Sequence, residues 1–185
     1  MSKSDPLRDQ LIRFLDWKEA HVDFDGAIDG IPPDKRGATP PGFPHSPWQL
    51  LDHLRIAQED IHDFCVNPNY KEMKWPDDYW PASAPPNAKA WDQSVAAYKR
   101  DLEKMKELVR TQPDLFARIP HGSSPHQTYI RAVLLLVDHA AYHIGQIVQV
   151  ARIHAGDKWN TLTIPRGGSE QFNKASWGQT GKSHS

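Results

Sequence analysis

The sequence predicts an all-α fold, a four-helix bundle, on three observations. No stretch alternates Val, Ile or Thr with polar residues between turn dipeptides, so strand signals are poor. Several windows instead repeat apolar residues at i, i+3, i+4 and i+7, the spacing of one helix face. Two of these windows follow the Ser-Pro-x-Gln grammar of a helix start, "SPWQ" and "SPHQ".

The first expected helix runs from about Asp5 toward Gly30 and aligns Leu7, Leu11, Phe14 and Leu15, with Ile12 on the flank. The stretch "GIPPDKRGATPPGFPH" ends it, because proline lacks the N–H that a helix interior requires. In "SPWQLLDHL", Ser46 caps a second helix, Pro47 takes its first position and Gln49 completes the capping box. Its inward stripe is Leu50, Leu54, Ala57, Ile61, Phe64 and Cys65. A third helix, about Ala88 to Thr111, turns Trp91, Val95, Tyr98, Leu102, Met105 and Leu108 inward, and Pro113 stops it. "SPHQ", Ser124 to Gln127, is read as opening the fourth and most apolar helix, which lasts to Ile153 with Gly156 as its stop.

Between the second and third helices lies "NPNYKEMKWPDDYWPASAPPN", far longer than the 2 to 8 residues usual between bundle helices. At about 3.3 Å per residue it can cross a whole bundle, so the second and third helices are expected to run parallel and the fourth antiparallel to the second. Residues 1–159 form the expected domain, and the polar, Gly/Ser-rich 160–185 an extended or partly disordered tail.

With 22 basic and 23 acidic residues among 185, the net charge of -1 creates no general attraction to nucleic acid or an anionic membrane. The longest apolar run, "AVLLLV" at Ala132 to Val137, falls short of the roughly 20 residues that span a bilayer. Cys65 is the sole cysteine, which excludes an internal disulfide and a multi-cysteine zinc site and fits a reducing compartment. A cytoplasmic protein without nucleic-acid or membrane partners is expected.

The chemistry is concentrated in "DHAAYHIGQIV", Asp138 to Val148. His139 and His143, four apart, lie on one helix face with Cα atoms about 6 Å apart and can grip one metal ion. Ten histidines in 185 positions yield about 0.5 such pairs by chance, so a third ligand is needed. His53 supplies it: it shares its helix face with Ala57, Ile61 and Phe64, and in an antiparallel pairing its height matches that of His139 and His143. Three unpaired buried imidazoles would cost about 1–3 kcal/mol each, a penalty that coordination removes. Three neutral nitrogens with open positions suit a catalytic type of site for zinc or nickel. "HAAYH" carries Ala140 where a zinc peptidase of the H-E-x-x-H type has its general base, which argues against peptidase chemistry.

The pairing of "SPWQLLDHLRIAQ" with "DHAAYHIGQIV" resembles the DinB-like (DinB/YfiT) superfamily, over about Leu7 to Gly156. The resemblance implies an up-down-down-up bundle, usually a homodimer, with a divalent metal held by His53, His139 and His143. It further implies a metal-dependent enzyme acting on a small molecule, of hydrolase or thiol-dependent transferase type, since characterised relatives include thiol-dependent transferases and a mycothiol-dependent isomerase. A low-molecular-weight thiol is the co-reactant so implied. The competing reading is a non-catalytic, metal-binding dimeric bundle that senses or binds a ligand.

Around this site, Gln146 lies three residues beyond His143 and can hydrogen-bond over it, and Asp60, seven beyond His53, is a candidate proton acceptor. His45 and His121, in loops leading into helices, and Trp75 and Trp80, in "KWPDDYWP", are candidate substrate contacts or a lid. Gly145 in mid-helix hints at close approach by a neighbour. Cys65, about 18 Å along the helix from His53, is too far to be a ligand.

Overall fold

A computed structural model describes residues 5–16, 21–85 and 87–177, and among these it contains no strand. The helices are α1 (Pro6–Leu15), α2 (Phe24–Asp29), α3 (Pro47–Val66), α4 (Ala90–Thr111), α5 (Tyr129–Ala155) and α6 (Ser169–Trp177).

The chain is helical as expected, but the single first helix from Asp5 to Gly30 is replaced by two. α1 ends at Leu15, and a new helix starts at Phe24, where the Asp23 side chain accepts from Gly26 N–H as a fresh N-cap. Residues 17–20, between them, lie outside the described residues. Leu11 and Leu15 are buried as expected, whereas Leu7 and Phe14 stay exposed. Arg8 fastens α1 to the end of α4 by donating to the carbonyls of Val109 and Gln112, groups that a helix C-terminus leaves without intrahelical partners.

α3 starts as the sequence reads: Ser46 Oγ accepts from Gln49 N–H at 3.2 Å while Gln49 Oε1 accepts from Ser46 N–H at 3.1 Å. α3 packs beside α4 in the same direction. Asp52 accepts from Ser94 Oγ at 2.9 Å, and further along Gln58 Nε2 donates to the Tyr98 carbonyl at 2.6 Å. α5 runs the opposite way. Ala140 and Ile144 pack in a core with Leu50, Leu51 and Leu54 near the start of α3, while Ala132 packs with Cys65 at its end. A second apolar cluster joins Leu11 and Leu15 of α1 to Met105, Val109, Val133 and Leu136.

α5 begins at Tyr129 and not at Ser124. Thr128 is its cap, accepting from Arg131 N–H at 3.3 Å. "SPHQ" forms a turn instead, because the chain before it is paired backward: Ile119 N–H donates to the Gln127 carbonyl at 2.8 Å and Ile130 N–H to the Leu115 carbonyl at 2.8 Å. The expected neighbour at Gly145 is absent too. A Cβ there would meet nothing within 4 Å.

The segment joining α3 to α4 lies back along α3. Tyr70 and Tyr79 reach Asp60, Trp80 stacks on His53, and the carbonyls of Pro81 and Ser83 accept from Gln49 and Ser46. Beyond Trp159, where an extended tail is expected, residues Ser169–Trp177 are helical, and residues 178–185 lie outside the described ones.

Candidate metal centre

His53 sits two turns into α3 on its inward face and is 1 % exposed. Across from it, one turn apart on α5, stand half-buried His139 and buried His143. One ligating nitrogen from each lies within 4.8 Å of the other two, and the Nε2 atoms of His53 and His139 are 3.1 Å apart. The three ring centroids are 4.5–5.0 Å from one another.

The outer hydrogen bonds fix which nitrogen is free. His53 Nδ1–H donates to the Tyr79 carbonyl at 2.9 Å, and His143 Nδ1–H donates to Gln146 Oε1 at 2.7 Å. In a neutral imidazole the other nitrogen then carries the lone pair, so Nε2 of His53 and of His143 are acceptors. His53 Nε2 faces His139 Nε2 at a separation that two lone pairs tolerate only with a cation or a proton between them. Two ligands at about 2.0–2.1 Å from one metal stand about 2.9 Å apart across a right angle and about 3.3–3.4 Å apart across a tetrahedral one. The observed 3.1 Å lies between these values, and the donor set fits a divalent ion.

Burial lowers the pKa of all three rings. His139 falls from 6.5 to about 4 through burial and then the neighbouring His53, and His143 to about 4 through burial and then His139 and His53. His53 is lowered by burial, partly opposed by its bond to Tyr79. Neutral imidazole is the form that binds metal, so the pocket holds the rings in the ligating state through the whole neutral range.

Among the other candidates, Gln146 touches the cluster by holding His143, and Trp80 lies on His53 with centroids 3.9 Å apart and planes 1° from parallel. His45 stacks on Trp80 at 3.9 Å, and burial lowers its pKa. Trp75 is 67 % exposed, packs edge-on against Tyr79 and stands apart from the three rings. Asp60 accepts from the phenols of Tyr70 at 2.9 Å and Tyr79 at 2.7 Å, and no hydrogen bond joins it to the histidines. His121 packs edge-on against Phe64, in a separate cavity that it shares with Asp60. Cys65 is buried, with its thiol pushed up to about 12 by burial, which suits a core residue. Sequence reasoning missed Tyr79, because its contact to His53 is a backbone carbonyl and leaves no trace in residue type.

Fold and centre together define an all-helical protein built around three converging histidines that can hold a metal ion. The chain belongs to the DinB superfamily, whose family model matches residues 16–147 and so spans all three histidines. No curated protein and no solved structure matches it.

Proposed function

We propose that this protein is a metal-dependent enzyme acting on a small molecule, with zinc or nickel held by His53, His139 and His143. The hydrolase and the thiol-dependent transferase are the two forms of this reading. The observation that carries it is the convergence of Nε2 atoms from two helices, with the opposite ring nitrogens of His53 and His143 committed to Tyr79 and Gln146. When bound, the cation supplies a Lewis acid that brings water or a low-molecular-weight thiol to its anionic form near neutral pH. Three protein ligands leave room for that group. Tyr79 and Gln146 hold the ring protons away from the cation, and Trp80 excludes water from one face of His53.

The proposal includes the up-down-down-up arrangement of the four long helical stretches, a cytoplasmic setting and a homodimer. Exposed Leu134, Tyr142 and Ile153 on α5 support the dimer as an apolar seam. Metal analysis after dialysis tests the first half. One divalent ion per chain is expected in the wild type and none in His53→Ala, and equal metal in both overturns it. Turnover of electrophilic substrates with and without added thiols then separates transferase from hydrolase. A second reading, a metal-bearing sensor without turnover, draws on the flush contact of Trp80 with His53, which resembles a closed cover.

A further inference from the structure

A cavity of about 410 Å³ lies between α3, the start of α5 and the segment joining α3 to α4. It falls within the size range of small-molecule sites. Its charges are unusual: the exposed Arg131 guanidinium and the exposed Glu72 carboxylate both line it, yet neither forms an ion pair or a side-chain hydrogen bond with the other or with any other described residue. Deeper in, His121 Nε2 is buried without a hydrogen-bond partner. A buried polar atom without a partner is uncommon, and the residue that carries it lines the cavity. Phe64 and Leu135 add apolar wall, and Asp60 a carboxylate already bridged by two phenols.

From this arrangement we propose that the cavity binds a small amphoteric molecule, an amino-acid-like zwitterion with an apolar side chain. Its carboxylate meets the fork of Arg131, which presents paired N–H donors to such a group. Its ammonium faces Glu72 and Asp60, and its apolar part lies on Phe64 and Leu135. The balance of charge favours this class over a simple anion. Two carboxylates against one guanidinium leave the lining net negative, which repels a phosphate dianion and accepts a zwitterion.

The cavity neighbours the metal centre. Leu135 is one turn before His139, about 6 Å along the axis. Tyr79 contributes its side chain to the cavity and its carbonyl to His53. That the ligand is the substrate rests on the metal-enzyme reading above; that the cavity binds it does not.

Calorimetric titration of the full chain with L-phenylalanine, 3-phenylpropanoate and 2-phenylethylamine tests the proposal, with metal content measured on the same samples. Phenylalanine is expected to bind at least tenfold more tightly than either singly charged probe. Arg131→Gln is expected to weaken phenylalanine and 3-phenylpropanoate at least tenfold and leave 2-phenylethylamine unchanged. Glu72→Gln is expected to weaken phenylalanine and 2-phenylethylamine at least tenfold while sparing 3-phenylpropanoate. Both residues are exposed, so their replacement leaves the core intact. Equal affinity for the three probes, no binding of any, or unchanged binding in either variant overturns the proposal. A metal-free protein that still shows the charge-dependent pattern fails the enzyme reading and keeps this one.

Discussion

Three clustered imidazoles, two of them buried and one half-buried, are unfavourable unless something shares their lone pairs, and the hydrogen bonds around them decide what that can be. Gln146 commits the Nδ1 proton of His143 outward, at 2.7 Å, and so commits Nε2 inward. Replacing it with Leu frees the ring to rotate and to change tautomer. Gln146→Leu is therefore expected to weaken divalent-metal affinity about 10–100-fold, read by competition with a chromophoric chelator, with helicity unchanged. Affinity equal to wild type would remove Gln146 from the site. The same rings give the chelated protein a particular acid sensitivity. The unfolded chain takes up protons near pH 6.5, whereas folded His139 and His143 refuse them until about pH 4. Between those values the unfolded state binds more protons, so stability is fullest above about 6.5 and declines as pH falls toward 4. Thermal melts of chelated protein at pH 7.5, 6 and 5 should descend in that order, and His139→Gln should flatten the descent.

Among the helices, what was legible follows from periodicity and what was not follows from contacts across the chain. His53 reads as inward because it shares a helix face with Ala57, Ile61 and Phe64, and the structure buries His53 and Ala57 and half-buries the other two. His139 and His143 share a face for the same reason. Ser46 and Gln49 announce the start of α3 because a capping box is local, closed within four residues. The identical grammar at Ser124 misleads, since the carbonyl and N–H pairings from Leu115 to Ile130 hold that segment in a turn until Thr128. The break between α1 and α2 hides in the same way: Asp23 is one of several acidic residues there, and only its bond to Gly26 distinguishes it as a cap. Tyr79 and Trp80 meet His53 from 26 and 27 positions further along the chain, a separation that no helical period encodes. Ser46 also donates to the Ser83 carbonyl at 2.7 Å, so this one hydroxyl both caps α3 and fastens the following segment to it. Ser46→Ala is expected to cost about 1–2 kcal/mol in urea unfolding, toward the upper part of the usual range for a cap. A loss below about 0.5 kcal/mol would show that neither bond matters to the fold.

For the molecule as a whole, the histidines join α3 to α5 at a point where the rest of the contact is apolar, so a shared cation would act as a crosslink as well as a reactive centre. A ligand that binds only the folded chain stabilises it by mass action, by about 4 kcal/mol at a thousandfold excess over its dissociation constant. For a chain of this size each kcal/mol corresponds to about 2–4 °C in melting temperature, so saturating zinc or nickel is expected to raise it by about 8–16 °C over the chelated protein. The rise has to vanish in His53→Ala, which leaves no imidazole of the cluster on α3, and to shrink sharply in His139→Ala, which leaves one nitrogen on each helix. Each variant is compared with its own chelated form, which separates loss of the crosslink from any loss of packing that the substitution brings. Metal bound by exposed carboxylates or by the histidines outside the cluster would raise both variants as much as the wild type. That outcome would place the metal elsewhere on the surface and leave the buried trio without a role in holding the two helices together.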